Sequence, residues 1–233
     1  MSGLGSILFA ALPLVVTPHA VPTPAPTTTV GTTSTSADLE DILLREAPAL
    51  RPEALHAALA SYAELSAKGE VQSPYLTVID YGLSSRSKRM WVFDLAAKHL
   101  VFHELVAHGR NSGEDMARSF SNEDGSHMTS LGAFVTEDTY EGKNGYSLRL
   151  RGMDPGWNDH AEARAIVMHG APYVSEQVAS TMGRLGRSWG CPAVRLDVAK
   201  QLIDDIRGRS LVYAWHPSML APAVAVAGSR SGS

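Results

Sequence analysis

Three hydrophobic patterns follow one another along this chain. From Leu4 to Val16 the residues are almost continuously apolar (LGSILFAALPLVV). Between Asp38 and Gly69 the apolar positions recur every three or four residues. Leu39, Ile42 and Leu43 share one helical face, and Leu55, Leu59, Tyr62 and Leu65 share another. Thr35 and Asp38 have capping-box spacing before the first of these helices, and Pro48 stops it. Pro52 suits the first position of the second helix, and Gly69 after Lys68 closes it. Beyond Pro74 the period shortens. PYLTVIDYG, RMWVFDL and HLVFHELVAHG are short runs rich in Val, Ile, Phe and Tyr, separated by polar or glycine-bearing turns, and they predict strands. Gly132 to Thr136, Ser147 to Leu150 and Ala165 to His169 add three more. Near the end Asp197 is placed to cap a helix burying Leu196, Ala199, Leu202, Ile203 and Ile206, closed by Gly208. SLVYAW then predicts a last strand. The pattern implies an α+β chain that is mostly β, with a small helical N-terminal subdomain at 37–70 ahead of a β-rich core at 71–217.

The first apolar run is too short to cross a bilayer and is interrupted by Pro13. Its length fits the apolar region of a secretory signal, although no Lys or Arg precedes it. Residues 1–20 are therefore expected to be a signal peptide and the protein to be exported to the periplasm or cell envelope. The single cysteine lies far from this segment, so no lipid anchor is expected there. Val21 to Ser36 (VPTPAPTTTVGTTSTS) can bury little apolar surface and predicts a linker. Residues 218–233, rich in small side chains, predict a disordered tail.

Composition narrows the function classes. Hydrophobic residues make up 44% of the 233 and charged residues 19%, enough for one sizeable core in a water-soluble domain. The formal net charge is −4 and no basic block stands out, which points away from nucleic acid. One cysteine excludes an intramolecular disulfide, a Cys-x-x-Cys redox pair and a multi-cysteine zinc site. No cofactor is expected.

That cysteine sits in GRSWGCPAV (Gly186 to Val194), a run with the residues of a tight turn. A cysteine nucleophile needs a base, usually histidine, because few thiols ionise at neutral pH. His169 ends a predicted buried strand in IVMHGAPY and is followed by Gly170. Gly190 lets the backbone approach a substrate closely, and the amides near Gly190 and Cys191 are placed to receive an oxyanion. A thiolate beside an imidazolium is then expected, with the thiol pKa lowered. A buried structural thiol and a strand-end histidine fit the same residues, and the residues alone leave both readings open.

AIVMHGAPY followed by GRLGRSWGCPAV resembles the catalytic signature of the murein L,D-transpeptidases of the YkuD type: a His-Gly, a gap, then Ser-x-Gly-Cys. VIDYGLSSRSKRMWVFDL, VAHGRNSGEDMARSFSNEDGSHMTSLGAF and YEGKNGYSLRLRGMDPGWNDHAEARAIVMHGA extend the resemblance over about Pro74 to Pro217. It implies a YkuD-like β-sandwich or barrel core with Cys191 as nucleophile and His169 as base. Gly170, Ser188, Gly190 and the Cys191 amide would shape the oxyanion and substrate region, with Arg187 and Trp189 beside them. It further implies peptidoglycan stem peptides as substrates and acylation by carbapenems. The acyl group passes from a terminal D-alanine bond to Cys191, then to an amine or to water. Two positions depart from the common motif. Trp189 stands where a histidine precedes the Gly-Cys, and Ala193 where an Arg or Asn follows; Arg187 is a possible substitute cation.

Other clusters say less. HELVAH (His103 to His108) nearly spells a zinc-protease motif. Its histidines are five apart, about 140° round a helix, and the run reads as strand. SNEDGS (Ser121 to Ser126) reads as a polar turn. Asn158, Asp159 and Arg164 in NDHAEAR stand close upstream of His169 and are placed to orient the active-site loop, to bind the stem, or to form a helix start with a structural ion pair. A cysteine amidase or peptidase on another amide, or a silent wall-binding domain, are the competing functions.

Overall fold

A computed structural model describes residues 36–220. The expected signal peptide, the linker up to residue 35 and the tail from residue 221 lie outside the described residues. The elements are α1 (Ser36–Glu46), α2 (Pro52–Ala67), β1 (Tyr75–Asp80), β2 (Met90–Asp94), β3 (His99–Glu104), β4 (Val106–Ala107), β5 (Gly132–Gly142), β6 (Gly145–Gly152), β7 (Val167–Gly170), α3 (Glu176–Met182), β8 (Ala193–Val194), α4 (Leu196–Ile206) and β9 (Leu211–Trp215), followed by a 3-10 turn (Pro217–Leu220).

The strands form one sheet in the order β3-β2-β1-β9-β5-β6-β7-β8-β4. β3 and β4 occupy opposite edges, yet only Leu105 separates them in the chain. The sheet must therefore curl until its edges nearly meet, which makes it almost closed. HLVFHELVAHG, one apolar run in the sequence, is cut at Leu105 into these two strands. Most pairings are antiparallel, but β1 runs parallel to β9 and β7 parallel to β8.

Strand alternation feeds two helical layers. Leu76 and Val78 of β1 belong to a core shared with Leu43, Leu50, Leu55 and Leu65 of the N-terminal segment, together with Trp91, Phe93 and Trp215. Ile79 faces the other way, into a core with Val92, Phe134, Met168, Leu202, Ile203 and Val212. Residues on both faces of a strand are buried, so its sequence reads as continuously apolar.

Of the helices, α1 and α2 keep their expected places, and α4 needs a correction. α1 and α2 form where their periodicity puts them, with Pro52 at the start of α2 and Gly69 at φ +72° just beyond its end. Their apolar stripe packs on the sheet in one shared core, which gives the expected helical subdomain no separate support. In α4, Arg195 rather than Asp197 occupies the N-cap, and Leu196 is exposed while Ala199, Leu202, Ile203 and Ile206 are buried.

Candidate active site

Register brings the two ends of the signature together. β7 lies between β6 and β8, with His169 opposite Ser147 on one side and Ala193 on the other. Cys191 is two residues before Ala193, so it enters β8 beside the strand carrying His169. Both residues line one cleft of about 650 Å³. The tip of the β5–β6 hairpin, at Lys143 and Asn144, forms part of its wall, with Arg164, Tyr173 and Trp189 around the rest.

The turn holding Cys191 is built by Ser188. Its Oγ donates to the Cys191 carbonyl at 2.6 Å and accepts from the Gly190 N–H at 3.1 Å. The Ser188 backbone is anchored as well: its N–H donates to the His108 carbonyl at 3.0 Å, and its carbonyl accepts from Arg110 N–H at 2.8 Å. Gly190 has φ +120°, and a Cβ there would lie 2.7 Å from the Met128 carbonyl oxygen. Only glycine fits, for conformation and for space. Because Ser188 already engages the Gly190 amide, that amide is not a free oxyanion donor, contrary to the sequence expectation. Gly170 is also a glycine for packing: a Cβ there would lie 2.8 Å from Ala199 Cβ, so its absence lets α4 approach β7.

Cys191 is 8% exposed and is part of the main core as well as the cleft lining. Its Sγ accepts from Val167 N–H at 3.5 Å and points its own hydrogen to the Ala165 carbonyl at 3.8 Å. Burial pushes the thiol pKa up, while the Val167 amide and the Arg164 charge pull it back. His169 is 5% exposed. Burial lowers its pKa, partly offset by the Gly170 carbonyl, which accepts from Nδ1 at 2.9 Å. A carbonyl only accepts, so Nδ1 carries the proton and Nε2 keeps the lone pair. Burial thus acts against both charges of the expected thiolate–imidazolium pair, and the contacts of Cys191 Sγ described above go to Val167 and Ala165. Desolvation disfavours the charged form of each group.

Arg164 packs against this turn, its Nη2 near Gly190 and its charge acting on Cys191. Its guanidinium donates to the carbonyls of Ser121 and Met128, each at 2.8 Å, to Ser126 Oγ at 3.2 Å, and to Ser130 Oγ. It thereby fastens the 121–130 loop, which includes the SNEDGS turn, over the cysteine turn. Asn158 and Asp159 are structural. Asn158 is buried and bonds Ala133 O and Asp154 N, and Asp159 accepts from Gly156 N–H and Asn122 Nδ2.

Trp189 is 68% exposed and stacks on His127 with centroids 4.7 Å apart, forming a ledge at the mouth of the cleft. Arg187 is paired with Glu114 at 2.7 Å, so its charge is already engaged. His103 and His108 do not converge. His103 stacks on Trp91 at 5.0 Å, whereas His108 is buried, its Nδ1 accepting from Arg89 Nη2 at 2.7 Å and its Nε2–H donating to Gly113 O at 3.3 Å. Sequence reasoning missed the buried Arg89, which also donates to the carbonyls of Leu83 and Val106. An arginine in a strand-flanking turn carries no signal that it will be buried.

A family model described as L,D-transpeptidase catalytic domain matches residues 46–215, more than half of the chain. The chain belongs to that family, and membership implies a peptidoglycan substrate. The match begins at the last residue of α1 and includes α2, in keeping with the core that α2 shares with the sheet. Searches of curated proteins and of solved structures returned no match. Among the described residues no helix is long and apolar enough to cross a membrane.

Proposed function

We propose that the protein is an exported cysteine acyltransferase acting on peptidoglycan stem peptides, an L,D-transpeptidase that becomes a carboxypeptidase when water is the acceptor. The carrying observation is that Cys191 and His169 line one cleft, with Nε2 of His169 left as the basic nitrogen. The amide carbonyl carbon of the donor stem is attacked by Cys191 Sγ as the thiol proton passes to His169 Nε2. Charge develops on the carbonyl oxygen, and the Cys191 amide is the donor that serves it, since Ser188 Oγ holds the Gly190 amide. The C–N bond breaks, His169 gives its proton to the leaving D-alanine amine, and a thioester remains on Cys191. An acceptor amine or water then attacks the thioester, losing a proton to His169, which returns it to the departing thiolate.

Burial of both groups favours proton transfer in step with attack over a preformed ion pair. Arg164 adds a fixed positive charge near the sulfur as it becomes anionic, and Trp189 supplies an apolar ledge for the stem. Mass spectrometry of the protein with muropeptide tetrapeptides tests the reading. A Cys191 thioester with loss of alanine, and crosslinked product when an amine acceptor is added, are expected. Intact peptides and unmodified protein would overturn it. Export is tested by fractionation, with a mature N-terminus expected near Val21.

A further inference from the structure

Beyond Trp189 the cleft continues into a second open pocket of about 580 Å³. Arg110, Arg184 and Arg187 line it, with Glu114 as its one carboxylate, together with Asn111 and Trp189. Glu114 is held between two of the arginines: it accepts from Arg184 Nε at 2.8 Å and from Arg187 Nη1 at 2.7 Å. Those two side chains are also tied to backbone, Arg184 to Leu185 O and Arg187 to Gly113 O and Arg110 O. Arg110 differs. Its backbone is fixed, the N–H donating to Ser188 O at 2.8 Å and the carbonyl accepting from Arg187. Its guanidinium is exposed and has no side-chain partner among the described residues.

Three positive charges thus face one negative charge on a braced wall. Such a surplus attracts an anion, and a guanidinium fork fits a carboxylate through two parallel hydrogen bonds. Arg187 and Trp189 line both this pocket and the cleft of Cys191, so one bound peptide can occupy both. We infer that the pocket is a carboxylate subsite. Arg110 engages a free carboxylate of the peptide whose amide lies against Cys191, and Arg184 and Arg187, braced by Glu114, supply the surrounding field. The inference rests on the peptide-substrate reading above.

The test uses full-length Cys191→Ala protein, so that binding is read without turnover. Calorimetric titration compares a tetrapeptide stem with versions in which each carboxylate in turn is a carboxamide. One carboxamide version should bind about tenfold more weakly. Adding Arg110→Gln should weaken the parent peptide to that level and leave that carboxamide version unchanged. Equal binding of all versions, binding of none, or a uniform loss on Arg110→Gln would overturn the subsite. The two readings separate cleanly. Wild-type turnover of every peptide without carboxylate preference leaves the enzyme reading and removes the subsite. An Arg110-dependent preference without any acyl-enzyme on wild-type Cys191 does the reverse.

Discussion

His169 Nδ1 donates to the Gly170 carbonyl across 2.9 Å, and this contact fixes which ring nitrogen is basic. The general base must be neutral to act, and burial lowers the pKa of His169 below its usual 6.5. Protonation therefore abolishes activity only below that value. The acid limb of kcat/KM should have its midpoint below pH 6.5, with activity lost as pH falls through it. His169→Gln should fold and lose turnover by about 10²–10⁴-fold. A midpoint at or above 6.5 sinks this account.

Arg164 should be visible in the thiol itself. The pKa of Cys191 is raised by burial and opposed by Arg164. Iodoacetamide should alkylate the native protein slowly at pH 7, more slowly than the denatured chain, with the rate rising into the alkaline range. Arg164→Gln should shift that profile further up, and Arg164→Lys should restore part of it. An unchanged profile in Arg164→Gln would show that Arg164 only fastens the 121–130 loop.

The strands, α2 and α4 are legible in the sequence because each rests on local periodicity, and a short motif picks out Cys191 and His169, which line one cleft. What stayed hidden depends on partners far apart in the chain. Nothing near Leu105 says that the strands on either side of it lie at opposite sheet edges; closure of the sheet decides that. Nothing near Gly190 says that Ser188 consumes its amide, or that Met128 lies against it. The packing of α1 and α2 on the sheet is hidden for the same reason, since a helical stripe does not reveal what will cover it. The burial of Cys191 is hidden in the same way, because motif spacing carries no information on desolvation.

His108 should give the fold a dependence on pH. Burial penalises its charged form, and because Nδ1 accepts from Arg89 a proton placed there would also face a guanidinium; its pKa is pulled down to about 4 from 6.5. The unfolded chain binds this proton as pH falls past about 6.5, and the folded chain only near 4. Stability present above pH 6.5 is thus lost progressively toward pH 4, by an amount on the order of 3 kcal/mol, and the loss then levels off. In urea titrations His108→Gln should be less stable than wild type at pH 7.5, and the gap should narrow toward pH 4. A constant gap would refute this.

Carbapenems should acylate Cys191, as family membership leads one to expect. A single adduct should map to the peptide containing Cys191 and vanish in Cys191→Ala. Removing the ledge with Trp189→Ala should slow adduct formation several-fold without changing the site of attachment. Adducts on other residues, or none on folded protein, would count against the nucleophile assignment.

The two glycines of the signature should fail in different ways. At Gly190 an added Cβ meets the Met128 backbone oxygen at 2.7 Å while φ is +120°, a conformation that costs alanine about 1–3 kcal/mol before any clash. Relief requires displacing the loop that Arg164 fastens, and with it the turn that aims Cys191. Gly190→Ala should therefore lower the melting temperature and cut turnover sharply, and no single shortened side chain should restore either. At Gly170 the φ is unremarkable, and the obstruction is Ala199 Cβ at 2.8 Å, with Leu196 Cδ2 at 3.1 Å. Gly170→Ala should destabilise by pushing α4 off β7, and Ala199→Gly in the same chain should recover much of the loss. If the second substitution rescues nothing, or if Gly190→Ala turns over peptide like wild type, the assignment of one glycine to packing and the other to backbone geometry is wrong.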